Sequence, residues 1–296
     1  MRLFAVGWLL LLPLFFFGCS PSDHADARPD PIKIAVNPWI GYTPLMYLEA
    51  TGEMQSLGFK FVLVSSLGEN ANLLSNHLVD GFAATQYEYL NYKDELETIV
   101  PAFTIDRSAG ADKIHSNVDI ATLQKSDRPI HVYMEFGSCN EDIFKSFVRA
   151  YALEKKRFVY HHDPQSVIKN LSAAPDKPVV VVSYEPFSTT LQKHGIREVA
   201  SSRNLDILIV DALFASISDI TEHRSRFLAL KRAFWKARGE LDKDPRRFYE
   251  TVRNFLEGQD YASFQKSLDG IRWLEKPGPD IIETLKKQGI DTGYLL

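Results

Sequence analysis

The sequence predicts an α/β protein in which helices cover a mainly parallel β-sheet. Short runs rich in Val, Ile and Phe alternate along the 296 residues with amphipathic stretches of helical period, a pattern typical of parallel strands joined by helices. The run Val179–Val182 is continuously apolar, as expected for a strand covered on both faces. Only two cysteines occur, Cys19 and Cys139, and Cys19 lies in the N-terminal segment discussed below. No disulfide framework is therefore expected, so burial must stabilise the fold.

Eight strands and four helices follow from the local patterns. Apolar, β-rich runs predict strands at Ile32–Val36, Phe59–Val64, Gly81–Ala84, Ile99–Thr104, Ile130–Met134, Arg157–His161, Val179–Ser183 and Ile207–Val210. Amphipathic stretches predict helices at Thr43–Leu57, Glu69–His77, Glu141–Leu153 and Pro186–Lys193.

The chain from Glu222 onward has a different character, because no convincing strand pattern occurs there. Phe248, Val252 and Leu256 recur at helical spacing. Pro245 marks the first turn of that helix, where proline is tolerated. These helices are too short to enclose a core of their own, so we expect a helical C-terminal segment packed on the α/β body.

The N-terminus has the composition of a secretory signal. Arg2 supplies a positive charge, Leu3–Phe17 is apolar, and Gly18 precedes Cys19. The apolar run is short of the roughly 20 residues that span a bilayer. Residues 1–18 are therefore expected to be a signal peptide and residues 19–31 a flexible tether. Cys19 after a small residue resembles a bacterial lipobox, which implies acylation, for example with palmitate; an uncleaved signal anchor remains the alternative.

Bulk composition excludes one class of partner. The formal net charge is −4, and no Lys/Arg block resembles a nucleic-acid footprint. Aromatic residues make up 12% of the chain, which is enough to line a pocket for a small molecule. We therefore expect no nucleic-acid partner.

Several motifs occur in a characteristic order. They are the opening Ile32–Leu45 (IKIAVNPWIGYTPL), Leu67-Gly68-Glu69-Asn70, Val79-Asp80-Gly81-Phe82-Ala83, Asp106–Asp112 (DRSAGAD), Gly137-Ser138 and Ser183-Tyr184-Glu185-Pro186. This order resembles the substrate-binding proteins of ABC importers, in the branch that includes nitrate, sulfonate, taurine and thiamine-precursor binders. The resemblance implies a two-lobe periplasmic binding protein fold of type II, with two hinge crossovers and a ligand trapped between the lobes by hinge closure.

The resemblance also implies a division of the chain. Lobe 1 would comprise residues 32–116 and 211–296, and lobe 2 residues 117–210. The hinges would lie near Arg107–Asn117 and Ile209–Leu213. Such proteins act as monomers, which is the expectation here.

Candidate ligand residues follow the strands, because open α/β sheets bind ligands beyond the carboxyl ends of their strands. They are Trp39, Tyr42, Glu69 and Gln86 in the first lobe, Asp106 and Asp112 at the crossover, and Glu135, Ser138, Tyr184 and Glu185 in the second lobe. The aromatic residues offer a wall for stacking. The turns at Ser66–Gly68 and Gly137-Ser138 offer helix N-termini that suit anions or carbonyl groups.

The charge of the ligand stays open at this stage. Four carboxylates, those of Asp106, Asp112, Glu135 and Glu185, would favour a cationic or amine-bearing ligand. An anionic ligand would need a well-placed cation, and Arg107 is the nearest candidate.

Catalysis and metal binding have weaker support. Cys139 at a helix start could have a lowered pKa, but the histidines show no motif relation to it. His161-His162-Asp163 could suggest a metal, yet adjacent residues of a strand point to opposite faces. No P-loop, G-x-G-x-x-G, H-E-x-x-H or G-x-S-x-G motif occurs. We expect no enzyme activity, no cofactor and no metal.

The sequence thus predicts a solute-binding lipoprotein on the periplasmic face of a bacterial membrane. It would capture a small organic, nitrogen-containing ligand and deliver it to an ABC permease. The main alternative is that a membrane sensor, instead of a permease, recognises the ligand-bound protein. An enzyme of pyrimidine or thiamine-precursor synthesis on the same fold is a third.

Overall fold

The strands of this protein form two sheets, each flanked by helices. The computed structural model describes residues 30–95, 98–172 and 177–296. The predicted signal peptide, Cys19 and most of the tether lie outside the described residues.

The described residues contain strands and helices in the following order. The strands are β1 (Ile32–Val36), β2 (Phe59–Leu63), β3 (Gly81–Thr85), β4 (Ile99–Ser108), β5 (Asp112–Ser116), β6 (Ile130–Met134), β7 (Phe158–His162), β8 (Val179–Tyr184), β9 (Arg197–Ser201), β10 (Val210–Ser216) and β11 (Ile271–Trp273). The α-helices are α1 (Thr43–Ala50), α2 (Glu53–Ser56), α3 (Leu67–Ser75), α4 (Gln86–Asn91), α5 (Ile120–Lys125), α6 (Cys139–Ala150), α7 (Gln165–Ile168), α8 (Ser188–Lys193), α9 (Ile217–Glu222), α10 (Arg224–Lys243), α11 (Pro245–Val252), α12 (Tyr261–Leu268) and α13 (Pro279–Lys287). Short 3-10 helices span Ile40–Tyr42 and Arg253–Phe255.

Both sheets are mixed rather than mainly parallel, so that part of the prediction is wrong. The first sheet has the order β11-β4-β10-β3-β1-β2, and the second has the order β7-β6-β8-β5-β9. Within the first sheet, β10 runs antiparallel to both β3 and β4. Within the second, β5 runs antiparallel to β8 and β9. The antiparallel strands are those that carry the chain from one sheet to the other and back.

The two sheets define two lobes, as the α/β two-lobe prediction requires. We call the first sheet with its helices the first lobe and the second sheet with its helices the second lobe. The chain crosses once between β4 and β5 and returns between β9 and β10. Because β5 belongs to the second sheet, we place the first boundary just before Asp112, slightly earlier than residue 116.

Three further strand predictions need correction. β5 and β9 were not expected, because short strands with mixed polar residues give no clear periodicity. The strand expected at Ile207–Val210 instead begins at Val210 and continues to Ser216. The C-terminal segment also contains a strand, β11, which pairs with β4 through only three residues. A strand this short does not stand out from helical surroundings.

The long helix expected at Thr43–Leu57 is divided in two. Gly52 separates α1 from α2 and has a φ of 74°. This left-handed conformation ends α1 and is adopted by glycine at little cost.

The helical C-terminal segment packs on the first lobe, as expected. Phe227 of α10 contacts Phe59 of β2 edge to face, with ring centroids 5.3 Å apart. Phe248 of α11 stacks on Tyr47 of α1 at 4.9 Å. These residues are part of one continuous apolar core. Among the described residues, no helix combines the length and apolar character needed to cross a membrane.

Candidate functional site

The ends of several strands meet at a seam between the two lobes. Trp39 follows β1 in the first lobe, and Tyr184 ends β8 in the second. Their rings meet edge to face at 6.0 Å, and both side chains are buried. The Asn37 side-chain amide also donates to the Tyr184 hydroxyl, at 3.4 Å. The lobes are therefore in direct contact around these two aromatic residues.

Three aspartates, which we call the hinge carboxylates, lie where the chain crosses between lobes. Asp106 is near the end of β4, Asp112 begins β5, and Asp211 is near the start of β10. Asp106 and Asp211 are direct partners in the β4–β10 register, and side chains of such partners lie close together. All three side chains are buried. Asp211 thus adds a third carboxylate to the predicted residues Asp106 and Asp112.

The first lobe holds two of the hinge carboxylates by one oxygen each. The Trp39 indole Nε1 donates to Asp106 Oδ2 at 3.2 Å, and the Tyr42 hydroxyl donates to Asp211 Oδ1 at 2.5 Å. Gly41 lies against this group, because a Cβ on it would lie only 1.8 Å from Asp106 Oδ2. The backbone can approach the carboxylate this closely only at a glycine.

One further oxygen of each hinge carboxylate has no donor within the part of the chain that the structure describes. Asp106 Oδ1, Asp112 Oδ2 and Asp211 Oδ2 are buried without a hydrogen-bond donor among the described residues. Burial raises the pKa of Asp106 to about 8 and that of Asp112 to about 7. Burial and the nearby Asp106 carboxylate raise the pKa of Asp211 well above its ordinary value. Asp106 and Asp211 can hydrogen bond to each other only by sharing a proton.

Two glutamates, which we call the helix-end carboxylates, span the seam in opposite directions. Glu88 of the first lobe accepts from the backbone N–H of Cys139, the first residue of α6, at 2.6 Å. Glu135 of the second lobe accepts from the backbone N–H of Leu67, the first residue of α3, at 3.3 Å. Each lobe therefore places a buried carboxylate on a helix N-terminus of the other lobe, where the helix dipole favours negative charge.

The other oxygens of the helix-end carboxylates are also satisfied. Glu88 Oε2 accepts one hydrogen bond from the Thr85 backbone N–H at 2.8 Å and another from the Thr85 hydroxyl at 2.5 Å. Glu135 Oε1 accepts from the Gln165 backbone N–H at 3.0 Å. Burial nevertheless raises the pKa of Glu135 to about 8 and also raises the pKa of Glu88.

The two turns that the sequence suggested as anion sites are consequently filled by the protein. Glu135 lies at the turn that begins α3, and Glu88 lies at the turn that begins α6. Ser138 caps α6, accepting from Asn140 N at 3.3 Å and donating to the Glu135 carbonyl at 2.9 Å. Its role in this structure is that of an ordinary N-cap.

Two other predicted site residues make contacts of a structural kind. Glu69 accepts from the Ser65 backbone N–H and hydroxyl, both at 3.0 Å. Gln86 bridges the return crossover, donating to Leu208 O at 2.6 Å and accepting from Val210 N at 2.7 Å. Neither side chain joins the hinge carboxylates through a hydrogen bond.

Glu185 is likewise committed elsewhere, although it spans the lobes. It forms an ion pair with Lys113 at 2.6 Å and accepts from the Gln259 side-chain amide at 3.1 Å. Its backbone carbonyl accepts from Ile40 N at 3.2 Å. Glu185 therefore contributes contacts between the lobes and is already neutralised by a lysine.

Sequence reasoning missed Asp211, Glu88 and Asn70. Asp211 directly follows the predicted strand Ile207–Val210, so the rule that selected the other strand-end residues applies to it as well. Glu88 belongs to a capping box with Thr85, which is readable from the T-x-x-E spacing, but its second contact comes from the other lobe. Asn70 Oδ1 is a further buried acceptor without a donor among the described residues.

The alternatives considered for catalysis and for an anion are not supported by the local geometry. Burial raises the pKa of the Cys139 thiol well above its usual value, contrary to the lowering expected from the helix start alone, because desolvation outweighs the helix dipole. Arg107 is exposed, on the opposite face of β4 from Asp106. Among the described residues, no group of three or more His, Cys, Asp or Glu side chains could hold a metal ion.

Comparison with known proteins identifies the fold. No family profile matches the sequence, and no curated protein sequence matches it. Solved structures do match. The zinc-bound ligand-binding component of an ABC-type import system from Staphylococcus aureus has a TM-score of 0.67 at 14% identity, over 88% of this chain and 92% of that chain.

Two other structures agree with this result. The periplasmic aliphatic sulphonate-binding protein SsuA from Escherichia coli has a TM-score of 0.66 at 11% identity, over 88% of this chain and 85% of its own. A Candida albicans protein described as having the generic periplasmic binding protein fold has a TM-score of 0.64 at 15% identity, over 88% of this chain and 91% of its own. The chain therefore has the periplasmic binding protein fold, as the motif order predicted.

Proposed function

We propose that this protein is an extracytoplasmic solute-binding protein that captures a small organic, nitrogen-containing solute between its lobes and delivers it to an ABC importer. The fold supports this proposal, because its two lobes are joined by two crossovers that can act as a hinge. The lobes would part to admit the solute and close on it.

One observation carries the proposal. Buried polar atoms without a protein partner come from both lobes and lie beside the Trp39–Tyr184 contact. Buried polar groups are nearly always satisfied in folded proteins, so atoms left without partners mark a place for a ligand. Asp106 and Asp211 come from the first lobe and Asp112 from the second, so a solute bound there would contact both. Only such contacts can shift a hinge toward its closed state.

The test is to look for the solute directly. The full chain, purified under native conditions, should release a small molecule in native mass spectrometry, and the same sample unfolded and refolded should not contain it. Trp39→Phe removes the Nε1 donor to Asp106 and should lower the fraction of the purified protein that carries the solute. Tyr160→Ala, at an exposed tyrosine of β7, is the matched control and should retain it. An empty protein that also shows no thermal shift with amines, pyrimidines, sulfonates and amino-acid derivatives would contradict the proposal.

The proposed location follows from the N-terminal sequence. Residues 1–18 would direct export, and Cys19 would carry the lipid that holds the protein at the periplasmic face of the membrane. Labelled palmitate should enter the wild type but not Cys19→Ser, and the variant should leave the membrane fraction. Equal labelling of both would reject the lipid anchor without affecting the solute-binding proposal.

A further inference from the structure

We propose that the solute is an organic cation whose protonated nitrogen carries N–H donors, and that the hinge carboxylates Asp106, Asp112 and Asp211 bind this nitrogen. The inference rests on the proposed function and names the chemical class of its ligand. It assigns the nitrogen a position between the lobes, with two carboxylates of the first lobe and one of the second around it.

The first argument is the charge of the seam. Five buried carboxylates, the hinge and helix-end groups, act on one another electrostatically across the seam. Among the described residues, no lysine, arginine or histidine forms an ion pair with any of the five; Lys113, the cation that lowers the pKa of Asp112, donates instead to Glu185. Buried charges are normally paired. Without a partner these groups take up protons, as the raised pKa values of Asp106 and Asp112 indicate, so the partner that would stabilise their ionised form is positive.

The second argument is the hydrogen-bonding character of the unsatisfied atoms. When the hinge carboxylates are ionised, Asp106 Oδ1, Asp112 Oδ2 and Asp211 Oδ2 all accept, and the amide oxygen of Asn70 accepts in either case. The Asn70 orientation is fixed, because its Nδ2 donates to Asn37 Oδ1 at 3.1 Å and to Ala83 O at 3.0 Å. A ligand that satisfies only acceptors must bring donors. A primary ammonium carries three N–H donors, whereas a quaternary ammonium carries none.

The third argument excludes anions. A helix N-terminus is the usual seat for an anionic group, and both helix N-termini at the seam already hold Glu88 and Glu135. An anionic solute would have to displace a buried carboxylate and then lie near four others. Repulsion between like charges at such distances is large in a buried site.

The absence of a metal-ligand cluster favours an organic cation over an ion. No group of three or more potential ligands among the described residues is arranged to hold a metal. An amidinium or a diamine spreads its N–H donors over two nitrogens, so it can reach carboxylates that are too far apart to share one metal ion. The aromatic ring of Trp39 beside Asp106 adds a surface that attracts cations.

The experiment compares probes matched in shape but not in charge or N–H content. Benzylamine and 1,4-diaminobutane are tested beside their fully N-methylated counterparts, with succinate and butanesulfonate as anions. We expect an amine to raise the melting temperature and the methylated counterpart to bind at least about tenfold more weakly, since buried acceptors would stay unpaired. Asp106→Asn and Asp112→Asn should weaken the bound amine by about thirtyfold or more, while Asp127→Asn, at an exposed aspartate, should not.

Each outcome is decisive. Binding of an anion, or equal binding of the amine and its quaternary counterpart, would overturn the cation assignment and leave the solute-binding proposal standing. Retention of amine binding in both Asn variants would show that the hinge carboxylates do not bind the amine. An unchanged melting temperature with every amine at millimolar concentration would reject organic cations with N–H donors as the class of ligand. Circular dichroism and the melting temperature of the ligand-free variants show whether a loss of binding reflects loss of the fold.

Discussion

The helix-end carboxylates and the hinge carboxylates are both buried at the seam between the lobes, but they differ in what surrounds them. Every oxygen of Glu88 and Glu135 accepts hydrogen bonds from the protein. Each of Asp106, Asp112 and Asp211 keeps one oxygen without a donor among the described residues. The first group therefore holds the lobes together through the protein's own atoms, whereas the ionised form of the second would need a donor or a cation from elsewhere.

This difference teaches which buried carboxylates belong to the architecture and which to a ligand. A satisfied carboxylate should be costly to remove, because its donors would be left unpaired. An unsatisfied one should be costly to keep, because it must either take up a proton or hold a desolvated charge. The two groups should consequently respond to mutation in opposite directions.

The largest effect is expected for Glu88→Ala. The Cys139 and Thr85 backbone N–H groups would lose their acceptor, which should lower the free energy of unfolding by about 2–3 kcal/mol and the melting temperature by about 4–10 °C. Scanning calorimetry of the ligand-free protein measures this. Glu154→Ala, at an exposed glutamate, should change little. Unaltered stability of Glu88→Ala would show that the helix-end contact is dispensable.

The next effect is a loss of stability with rising pH in the ligand-free protein. The folded pKa values of Asp106 and Glu135 are raised to about 8 and that of Asp112 to about 7. Groups with raised folded pKa values stabilise fully below their unfolded values near pH 4, and this contribution is lost as the pH rises to about 8. We expect a decrease of roughly 2 kcal/mol or more between pH 5 and pH 8.

A flat profile between these two pH values would contradict the pH prediction. Bound amine should reduce the slope, because the cation stabilises the ionised carboxylates. Thermal unfolding at a series of pH values, with and without the probe, measures both effects.

A smaller change of opposite sign is expected for Asp106→Asn. Above pH 8, where Asp106 is ionised despite its raised pKa of about 8, the variant removes a desolvated charge while keeping the shape of the side chain. The ligand-free protein at pH 9 should therefore gain about 1 kcal/mol and melt about 2–4 °C higher. Asp127→Asn is the control. A decrease in melting temperature would mean that Asp106 is an architectural group like Glu88, and the contrast between the two groups would fail.

The smallest effect is expected at Cys139. Its thiol is buried, and burial raises its pKa well above the usual range, so iodoacetamide at neutral pH should modify it only after unfolding. Cys139→Ala, which adds no polar group to this buried position, should lower the free energy of unfolding by about 1 kcal/mol or less and leave amine binding intact. Rapid alkylation of the folded protein, followed by mass spectrometry, would show that the seam opens readily.

Several features were predictable from local sequence because they depend on local energetics. The apolar run Val179–Val182 forms β8, the Ser-containing turn before Cys139 begins α6, and Pro245 begins α11. Each depends on hydrophobic periodicity or on capping, both of which act within a few residues. The order of strand-end motifs further predicted the periplasmic binding protein fold, and the structural comparisons confirm it.

Other features were not predictable because they depend on partners distant in the chain. The strands β5 and β9 carry mixed polar residues that give no clear pattern, β11 has only three residues, and all three are stabilised by pairing with their neighbours. The sequence favoured Glu69 and Glu185 as site residues. In the structure, Ser65 already donates to Glu69, and Lys113 already forms an ion pair with Glu185. The register of β4 and β10 places Asp211 beside Asp106, across more than a hundred residues of chain.

Local sequence patterns were thus enough to predict the α/β architecture and the aromatic and acidic character of the seam, whereas the N-terminal signal stays a prediction. Long-range packing sets which acids lack donors among the described residues. Hydrophobic patterning and capping are short-range effects that each segment carries with it, whereas the ionisation and hydrogen bonding of a buried carboxylate depend on which atoms from other segments surround it. Glu88 and Asp106 have the same charge, and their different surroundings separate a contact between lobes from a place for a ligand.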